Sequence, residues 1–313
     1  MKVAFFGSSS FSVPPLQAIS SFVTCVVTRK AKPKGRGYLL EDTEVRREAI
    51  NLRLPVIEID SFKDEAIKEL ESLKPDLFVV ASFGLIIPKW VLDIPLVGPI
   101  NIHPSLLPKY RGPSPIQWAI WNGDAETGIT IMRINEKMDA GNILYQEIMV
   151  IEPEDNANTL SERLSKRSAE ILPGILEKIA LNGLQEGLIQ DHDKATFTPI
   201  LTKEMGKIDW LKSAAEILRQ VRAFIDWPTA YTFLDGLLLK VFEGIVVEDE
   251  MQDVGRSTVP GTIFAVSKEG IHVQTGSGIF IITELQLQNK KRMKAYDFSR
   301  GYRGLERKVL KEG

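Results

Sequence analysis

One asparagine, one histidine and one aspartate in the middle of the chain have the types and spacing that acyl chemistry needs. Asn101 and His103 stand two residues apart in a strand-like run, and Asp139 lies in a turn after a second such run. Because side chains at i and i+2 of a strand point to the same side, Asn101 and His103 can face one cleft, where Asp139 could orient the imidazole. Such a set suits transfer of an acyl-type group to an amine.

The chemistry assigns each of the three a task. When an amine attacks a formyl carbon, negative charge forms on the former carbonyl oxygen and one proton must leave the nitrogen. Asn101 can donate to that oxygen, and His103 can donate or relay the proton. An isolated Asn-x-His on a strand is often structural, however, and an aspartate within residues 138–141 can serve the turn itself. From these residues alone, the catalytic and the structural interpretations both stay open.

The segments around these residues alternate between strand-like and helix-like patterns. Strands are predicted at 3–6, 22–28, 77–82 and 98–102, helices at 43–52, 62–73 and 113–121, and a further pair of strands at 127–134 and 143–151. Continuous apolar strands separated by helices predict an α/β fold, a Rossmann-like parallel sheet with helices on both faces. Ligands bind at the carboxyl edge of such a sheet, where His103 is expected.

The pattern changes in the second half of the chain. A long helix is predicted to begin at Thr159, where Thr159-Leu-Ser-Glu162 forms a capping-box pattern, and to be kinked or divided at Pro173. Residues 191–207 are polar and irregular, and Ser213-Ala-Ala-Glu216 caps a further helix. Short strand-like runs then follow at 230–234, 237–247, 262–266, 271–274 and 279–285. Short strands with glycine-rich turns predict a small C-terminal β-barrel of the OB-like type.

Composition limits the class of protein. The chain has 313 residues, 44% of them hydrophobic, and a formal net charge of −2. The single Cys25 excludes a disulfide within the chain, and its apolar surroundings favour a buried thiol. Met1-Lys2 leads directly into a strand-like run, and no apolar run approaches the ~18–20 residues of a membrane span. We therefore expect a soluble, cytoplasmic protein, with a monomer as the default state.

Two basic segments stand out against this mildly acidic total. Residues 29–37 carry Arg29, Lys30, Lys32, Lys34 and Arg36 without an acid, and Pro33 with two glycines predicts a flexible loop without regular structure. The C-terminal segment has nine basic residues against Asp297 and Glu306: Lys290, Lys291, Arg292, Lys294, Arg300, Arg303, Arg307, Lys308 and Lys311. Clustering of this kind on a small barrel is typical of a surface that follows a nucleic-acid backbone.

Several motifs together resemble one known family. Asn101-Ile-His103-Pro-Ser105-Leu106-Leu107-Pro108, Tyr110-Arg111-Gly112 and Met138-Asp139-Ala140-Gly141 are similar to the signature of the formyltransferases that use 10-formyltetrahydrofolate. Further matching segments are Lys34-Gly35-Arg36-Gly37, Ile208-Asp209-Trp210 and Lys294-Ala-Tyr-Asp-Phe-Ser-Arg-Gly301. The resemblance therefore covers essentially the whole chain.

The resemblance implies a reaction and a set of site residues. It implies that Asn101, His103 and Asp139 are catalytic, and that Ser105, Leu106, Leu107 and Pro108 form the loop against which the folate lies. Arg36, with Lys34 nearby, would lie close to the acceptor end of a tRNA. The implied reaction moves a formyl group from 10-formyltetrahydrofolate, without a metal, to the α-amine of methionine on an initiator tRNA, in support of translation initiation.

The change of pattern in the second half places a domain boundary near residue 205, and the resemblance gives each part of the chain a role. Residues 1–190 would form the formyltransferase domain, 191–207 a linker, and 208–313 an OB-like tRNA-binding domain. Two alternatives remain: a formyltransferase acting on an aminated sugar nucleotide or another small amine, and a tRNA-binding module without activity. The basic segments favour a tRNA acceptor over a small amine, because a small acceptor would not require them.

Overall fold

The chain divides into two compact units, each assembled from segments that are distant in sequence. The computed structural model describes residues 1–34, 39–247 and 259–311, with the backbone alone at 32–34 and 39. The first unit combines Met1–Pro115, Glu126–Val150 and Thr159–Pro199. The second combines Ile116–Ala125, Ile151–Asn158 and Ile200–Gly313.

A seven-stranded sheet forms the centre of the first unit. The strands of this unit are β1 (Val3–Gly7), β2 (Val23–Arg29), β3 (Lys32–Lys34), β4 (Leu39–Glu41), β5 (Val56–Ile59), β6 (Leu77–Ala81), β7 (Gly98–His103), β8 (Glu126–Arg133) and β9 (Ile143–Val150). The sheet has the order β5-β2-β1-β6-β7-β8-β9, and β8 runs antiparallel to both of its neighbours while the other pairs are parallel. The α/β prediction is therefore confirmed, with an antiparallel addition at the β8–β9 edge.

Both faces of this sheet are covered, which explains its continuous apolar strands. On one face Ala4 and Phe6 join a core with Ile67 and Leu70 of a neighbouring helix. The alternate residues of the same strand point to the opposite face, and Phe5 among them is also fully buried. Strands that are buried on both sides have no polar positions, so their sequences read as unbroken apolar runs.

Eight helices lie in the described part of the chain. They are α1 (Val13–Ala18), α2 (Glu44–Asn51), α3 (Ala66–Ser72), α4 (Lys89–Leu92), α5 (Pro115–Asn122), α6 (Ala157–Asn182), α7 (Ala214–Ala223) and α8 (Ala295–Gly301). None of these helices combines the length and the apolar character that crossing a membrane would require. The capping box predicted at Ser213 and Glu216 is confirmed at the start of α7.

The longest helix differs from its prediction at its start, and of the two outcomes predicted at Pro173, division does not occur. It begins at Ala157, two residues before the predicted start, because the Asn156 side chain accepts a hydrogen bond from the Asn158 amide and so satisfies a first-turn donor. It also continues through Pro173 without being divided. Leu172 and Leu176 are fully buried on either side of that proline. Packing of this face outweighs a local cost of about 3 kcal/mol for a proline inside a helix.

The prediction of an irregular loop at 29–37 is wrong for its central residues. Lys32–Lys34 form β3, which pairs with the antiparallel strand β4 in a separate two-stranded sheet. Pro33 is accommodated because a strand in a two-stranded sheet has an edge where no amide donor is needed. Arg36 lies outside the described residues.

The second unit is built on a six-stranded antiparallel sheet. Its strands are β10 (Ala230–Leu234), β11 (Leu237–Val247), β12 (Ile263–Val266), β13 (Ile271–Gln274), β14 (Ile279–Leu287) and β15 (Met293–Lys294). The order is β10-β11-β14-β13-β12, and β15 pairs with β14. The predicted strands 230–234, 237–247 and 271–274 are confirmed at both ends.

The C-terminal segment closes this sheet into a small barrel. Phe233 of β10 exchanges two backbone hydrogen bonds of 3.1 Å with Lys311. Ile263 of β12 donates to the carbonyl of Lys308 at 2.8 Å and accepts from the amide of Arg307 at 2.7 Å. Because β10 and β12 are the two edges of the sheet, a segment that pairs with both joins those edges. The predicted barrel is therefore confirmed.

Candidate active site

Strand β7 positions the first two candidate catalytic residues. Asn101 pairs with Val80 of β6 on one side and with Met132 of β8 on the other, and His103 is the last residue of the strand. The two side chains lie on the same side of β7 because they are two residues apart. The parallel part of the sheet thus brings both residues to its carboxyl edge, as predicted.

The His103 ring is held by a backbone carbonyl. Its Nε2 lies 2.9 Å from the carbonyl oxygen of Tyr110, and the residue is 4% exposed. Since a carbonyl oxygen can only accept, Nε2 must carry the proton of this hydrogen bond. Nδ1 is then the ring nitrogen that remains for other chemistry, and it lies 3.7 Å from Oδ2 of Asp139. The predicted neighbourhood of His103 and Asp139 is present in the structure.

Asp139 is presented by a turn between β8 and β9. Its Oδ2 accepts a hydrogen bond of 2.8 Å from the amide of Gly112. Its backbone has a φ of +46°, a conformation that favours glycine. Two residues later, Gly141 approaches the backbone of Arg133 so closely that a Cβ would stand 1.8 Å from the Arg133 oxygen. These contacts restrict the backbone conformation of the turn, in which the Asp139 carboxylate lies beside His103.

The Asn101 side chain is not engaged by any described residue. The residue is half-buried, and its amide makes no hydrogen bond with any residue in the part of the chain that the structure describes. A half-buried amide without a protein partner is available to a ligand, and its N–H groups are suitable donors to a developing oxyanion. Among the described residues, the Asn101 amide and Nδ1 of His103 are therefore the polar groups of this trio that have no hydrogen-bond partner.

The segment Ser105–Pro108 is tied down by a small hydrogen-bond network. Thr130 Oγ1 donates to the Ser105 carbonyl at 2.6 Å, and accepts from the Leu107 amide at 3.2 Å and from Gln146 Nε2 at 2.9 Å. The same Nε2 lies 2.9 Å from the Leu107 carbonyl, to which it donates. Ser105 and Leu107 are buried, whereas Leu106 and Pro108 are half-buried. Only alternate residues of the predicted folate loop are therefore accessible.

A buried arginine stands behind the turn that carries Asp139. Arg111 is 4% exposed, and its Nη2 donates to Gln190 Oε1 at 2.6 Å and to His192 Nδ1 at 2.9 Å. Burial lowers the pKa of the Arg111 guanidinium from its ordinary value, and the negative charge of Asp139 opposes that shift. Because the guanidinium can only donate, His192 must accept through Nδ1 and carry its proton on Nε2.

The residues that sequence reasoning missed come from the segment after α6. Thr196 Oγ1 accepts from the Tyr110 amide at 2.8 Å, and Thr198 Oγ1 accepts from the Ser114 amide at 3.2 Å. Together with Gln190 and His192, which bind the Arg111 guanidinium, these side chains hold the 110–114 segment by hydrogen bonds. Their polar character was the only available signal, and in the sequence it was indistinguishable from that of a linker.

The candidate tRNA contacts belong to the two basic segments. Lys34 ends strand β3, where only its backbone is described, and Arg36 falls in the undescribed segment. Of the basic C-terminal residues, three are neutralised by ion pairs: Arg292 with Glu284, Lys294 with Glu243, and Lys308 with Asp235. The other six are exposed and form no ion pair within the described residues: Lys290, Lys291, Arg300, Arg303, Arg307 and Lys311.

Comparisons with known proteins cover both units. A family described as formyl transferase matches residues 1–176, and one described as formyl transferase, C-terminal domain, matches residues 200–303. Among solved structures, an N-formyltransferase from Helicobacter canadensis in complex with folinic acid and dTDP-3-aminofucose superposes with a TM-score of 0.65. It is 20% identical and the match covers 92% of this chain and 100% of that one.

Curated relatives are similar over nearly their whole length. The chain is 40% identical over 302 residues to a methionyl-tRNA formyltransferase of Alkaliphilus oremlandii, covering 95% of this chain and 96% of that protein. It is 39% identical over 307 residues to a methionyl-tRNA formyltransferase of Geobacter sulfurreducens, covering 97% and 94%. The family resemblance predicted from the motifs is confirmed: this chain belongs to the formyl transferase family, together with these two enzymes.

Proposed function

We propose that this chain transfers the formyl group of 10-formyltetrahydrofolate to the α-amine of methionine on initiator tRNA, supporting translation initiation. The amine nitrogen attacks the formyl carbon, and the bond from that carbon to N10 of the folate breaks. The proton that the amine loses is balanced by the proton that N10 gains. The observation that carries this proposal is the meeting of an open amide, an imidazole and a carboxylate at the end of β7.

Each member of this trio has a role that follows from its surroundings. Asn101 donates its free N–H to the oxyanion of the tetrahedral intermediate. His103, whose Nε2 proton is committed to the Tyr110 carbonyl, acts through Nδ1 on the proton that leaves the amine. Asp139 lies 3.7 Å from that nitrogen, and its negative charge stabilises the imidazolium that forms when Nδ1 takes the proton. All three are proposed as catalytic residues.

The donor site is proposed along the 105–108 segment. Ser105, Leu106, Leu107 and Pro108 follow His103 after a single residue, so a folate lying against them would bring its formyl group to the end of β7. Thr130 and Gln146 hold the backbone of this loop by hydrogen bonds. The loop therefore offers the folate a preorganised surface that does not have to rearrange on binding. The complex of the Helicobacter canadensis protein with folinic acid supports a folate-derived donor.

The acceptor is inferred from the relatives and from charge. The curated relatives are named for methionyl-tRNA, and they are similar over both units of this chain. We propose that Lys34 and Arg36 lie near the acceptor end of the tRNA. Six basic residues of the C-terminal segment have no carboxylate partner among the described residues, and they would contact its phosphates, because such exposed cations are free to replace counterions.

The remaining proposals concern organisation. We propose residues 1–190 as the catalytic domain, 191–207 as a linker and 208–313 as the OB-like tRNA-binding domain. The compact units differ from this division at Ile116–Ala125 and Ile151–Asn158, which belong to the second unit, and the first unit extends to Pro199. The enzyme is proposed to act in the cytoplasm as a monomer, without a metal.

The test is a formylation assay with competing acceptors. Purified protein and 10-formyltetrahydrofolate are incubated with methionyl initiator tRNA, methionyl elongator tRNA, free methionine or a dTDP-linked amino sugar, and formylated product is quantified. We expect rapid formylation of the methionyl initiator tRNA and little of the other three. Transfer to the amino sugar alone would assign the chain to small-amine acceptors. Absence of donor turnover with every acceptor, despite tRNA binding, would indicate a binding module.

A further inference from the structure

Gln190 occupies a place that no motif indicated. It is 4% exposed and follows Leu188, which pairs with Ile143 at the start of β9. Its amide nitrogen lies 2.9 Å from the Asp139 carbonyl and 2.7 Å from the Gly141 carbonyl, and donates to both. Its Oε1 accepts from Arg111 at 3.1 Å through Nε and at 2.6 Å through Nη2. Both ends of this buried amide are therefore fully used.

These four hydrogen bonds connect the backbone around Asp139 with Arg111. On one side, Gln190 holds the carbonyls before and after Ala140, in a turn whose Asp139 has a left-handed backbone. On the other side it holds Arg111, and the next residue, Gly112, donates its amide to Asp139 Oδ2. Gln190 therefore joins the backbone that presents the carboxylate to the segment that anchors it.

The backbone of the Tyr110–Gly112 segment has hydrogen bonds that do not involve Gln190. The Arg111 amide donates to the Thr196 carbonyl at 2.8 Å, and the Arg111 carbonyl accepts from the Thr198 amide at 2.7 Å. The Asp139 turn, in contrast, depends on Gln190 for two of its carbonyls. We therefore expect loss of the Gln190 amide to disturb the turn of Asp139 more than the Tyr110–Gly112 segment.

We propose that Gln190 is a positioning residue of the reaction, which keeps the Asp139 carboxylate beside Nδ1 of His103. This inference rests on the proposed function, because it assumes that Asp139 serves catalysis. A displacement of about 1 Å at a catalytic group can cost on the order of 10²-fold in rate. We therefore expect Gln190 to control kcat rather than substrate binding.

Gln190→Glu is the most informative substitution. A carboxylate of the same shape still accepts from Arg111, but it cannot donate to the two turn carbonyls and would repel them. We expect kcat to fall by roughly 10- to 100-fold, on the scale of a small displacement, while the KM values for donor and tRNA change less than about twofold. Gln190→Met, which is similar in volume and adds no buried charge, provides a second variant in case the glutamate prevents folding.

A matched control exists nearby. Gln185 is exposed, and its Nε2 also donates to two carbonyls, those of Asn182 at 2.7 Å and Gly183 at 3.4 Å. Gln185→Glu makes the same chemical change just after the end of α6, outside the candidate site. We expect this variant to keep the wild-type kcat.

Two readouts separate a positioning role from a merely structural one. In an Asp139→Asn background, Gln190→Glu should cause no further loss of kcat, because its effect passes through the missing carboxylate. In crystal structures of the Gln190 variants, the distance from Asp139 Oδ2 to His103 Nδ1 should exceed its present 3.7 Å.

A wild-type kcat or an unmoved carboxylate in these variants would overturn the inference. If the wild-type protein formylates no acceptor, the proposed function fails, and the crystal structures still decide whether Gln190 holds Asp139.

Discussion

The carboxylate of Asp139 stands 3.7 Å from Nδ1 of His103, and it takes its short hydrogen bond from the Gly112 amide instead. The separation is too long for a hydrogen bond, but it is short enough for the carboxylate charge to favour a proton on Nδ1. The two residues are distant in the sequence, so their approach depends on the β8–β9 turn and on the hydrogen bonds that hold this turn.

Replacing the charge of Asp139 tests its role in catalysis. Asp139→Asn keeps an oxygen for the Gly112 amide but removes the negative charge beside His103. We expect kcat to fall on the order of 10²-fold or more, the scale of a missing proton-transfer function, with donor binding nearly unchanged. Steady-state kinetics and folate titration measure the two effects. Asp193→Asn, at an exposed carboxylate nearby, should leave both unchanged.

Thr130 is predicted to support the donor loop. Thr130→Val keeps the shape of the side chain but leaves the buried Ser105 carbonyl and Leu107 amide without their partner. We expect the free energy of unfolding to fall by about 1–3 kcal/mol and the KM for the folate donor to rise. Urea unfolding and donor kinetics are the measurements.

A second threonine on the same strand supplies the control for Thr130. Thr127 Oγ1 is buried and has no hydrogen-bond partner among the described residues. Thr127→Val removes a polar group that is already unsatisfied, so it should be neutral or stabilising. Equal destabilisation by the two valines would show that the hydrogen bonds of Thr130 do not matter.

Burial raises the pKa of the Cys25 thiol to about 12 from its ordinary value of 9.0, with a smaller contribution from the charge of Glu69. Between these two values the unfolded thiol loses its proton while the folded thiol keeps it. The unfolded state therefore binds fewer protons, and stability declines as pH rises through this window. Below pH 9 the contribution of Cys25 is constant.

The expected slope for Cys25 is up to about 1.4 kcal/mol per pH unit. Urea unfolding of the wild type and of Cys25→Ala at pH 8 to 11 measures it, since all other titrations are common to both proteins. The stability advantage of the wild type should shrink as the pH rises. A constant difference across this range would contradict the prediction.

Closure of the barrel is predicted to depend on Leu310. This residue is 2% exposed and belongs to the core of the second unit, within the segment that joins β10 and β12. Leu310→Ala should lower the free energy of unfolding by about 2–5 kcal/mol. The neighbouring Val309 is 38% exposed, so Val309→Ala should change it by no more than about 0.5 kcal/mol. Denaturant unfolding of both variants tests this contrast.

The unpaired basic residues are predicted to set the salt dependence of tRNA binding. Replacing Arg300, Arg303 and Arg307 by glutamine should reduce the slope of log K against log salt by up to about 0.9 for each phosphate that is no longer neutralised. Lys308→Gln should change the slope less, because Lys308 is already paired with Asp235 at 2.7 Å. An unchanged slope in the triple variant would exclude these arginines from the interface.

The sequence by itself determined the elements and part of the site. Unbroken apolar runs located β1 and β6, because strands buried on both faces leave no polar position. The cap formed by Ser213 and Glu216 could be predicted because its partners are close neighbours in the chain. The i, i+2 spacing placed Asn101 and His103 on one side of β7, since strand geometry alone requires it.

Only the tertiary structure decided what surrounds these residues. The strand β5, the pairing of Lys32–Lys34 with β4, and the passage of α6 through Pro173 all depend on partners elsewhere in the chain. Arg111 and Gln190 are 79 residues apart, yet they share a hydrogen bond beside Asp139. Hydrogen bonds between such distant side chains leave no periodic pattern in a sequence. Their geometry exists only once the sheet and the turn between β8 and β9 have formed.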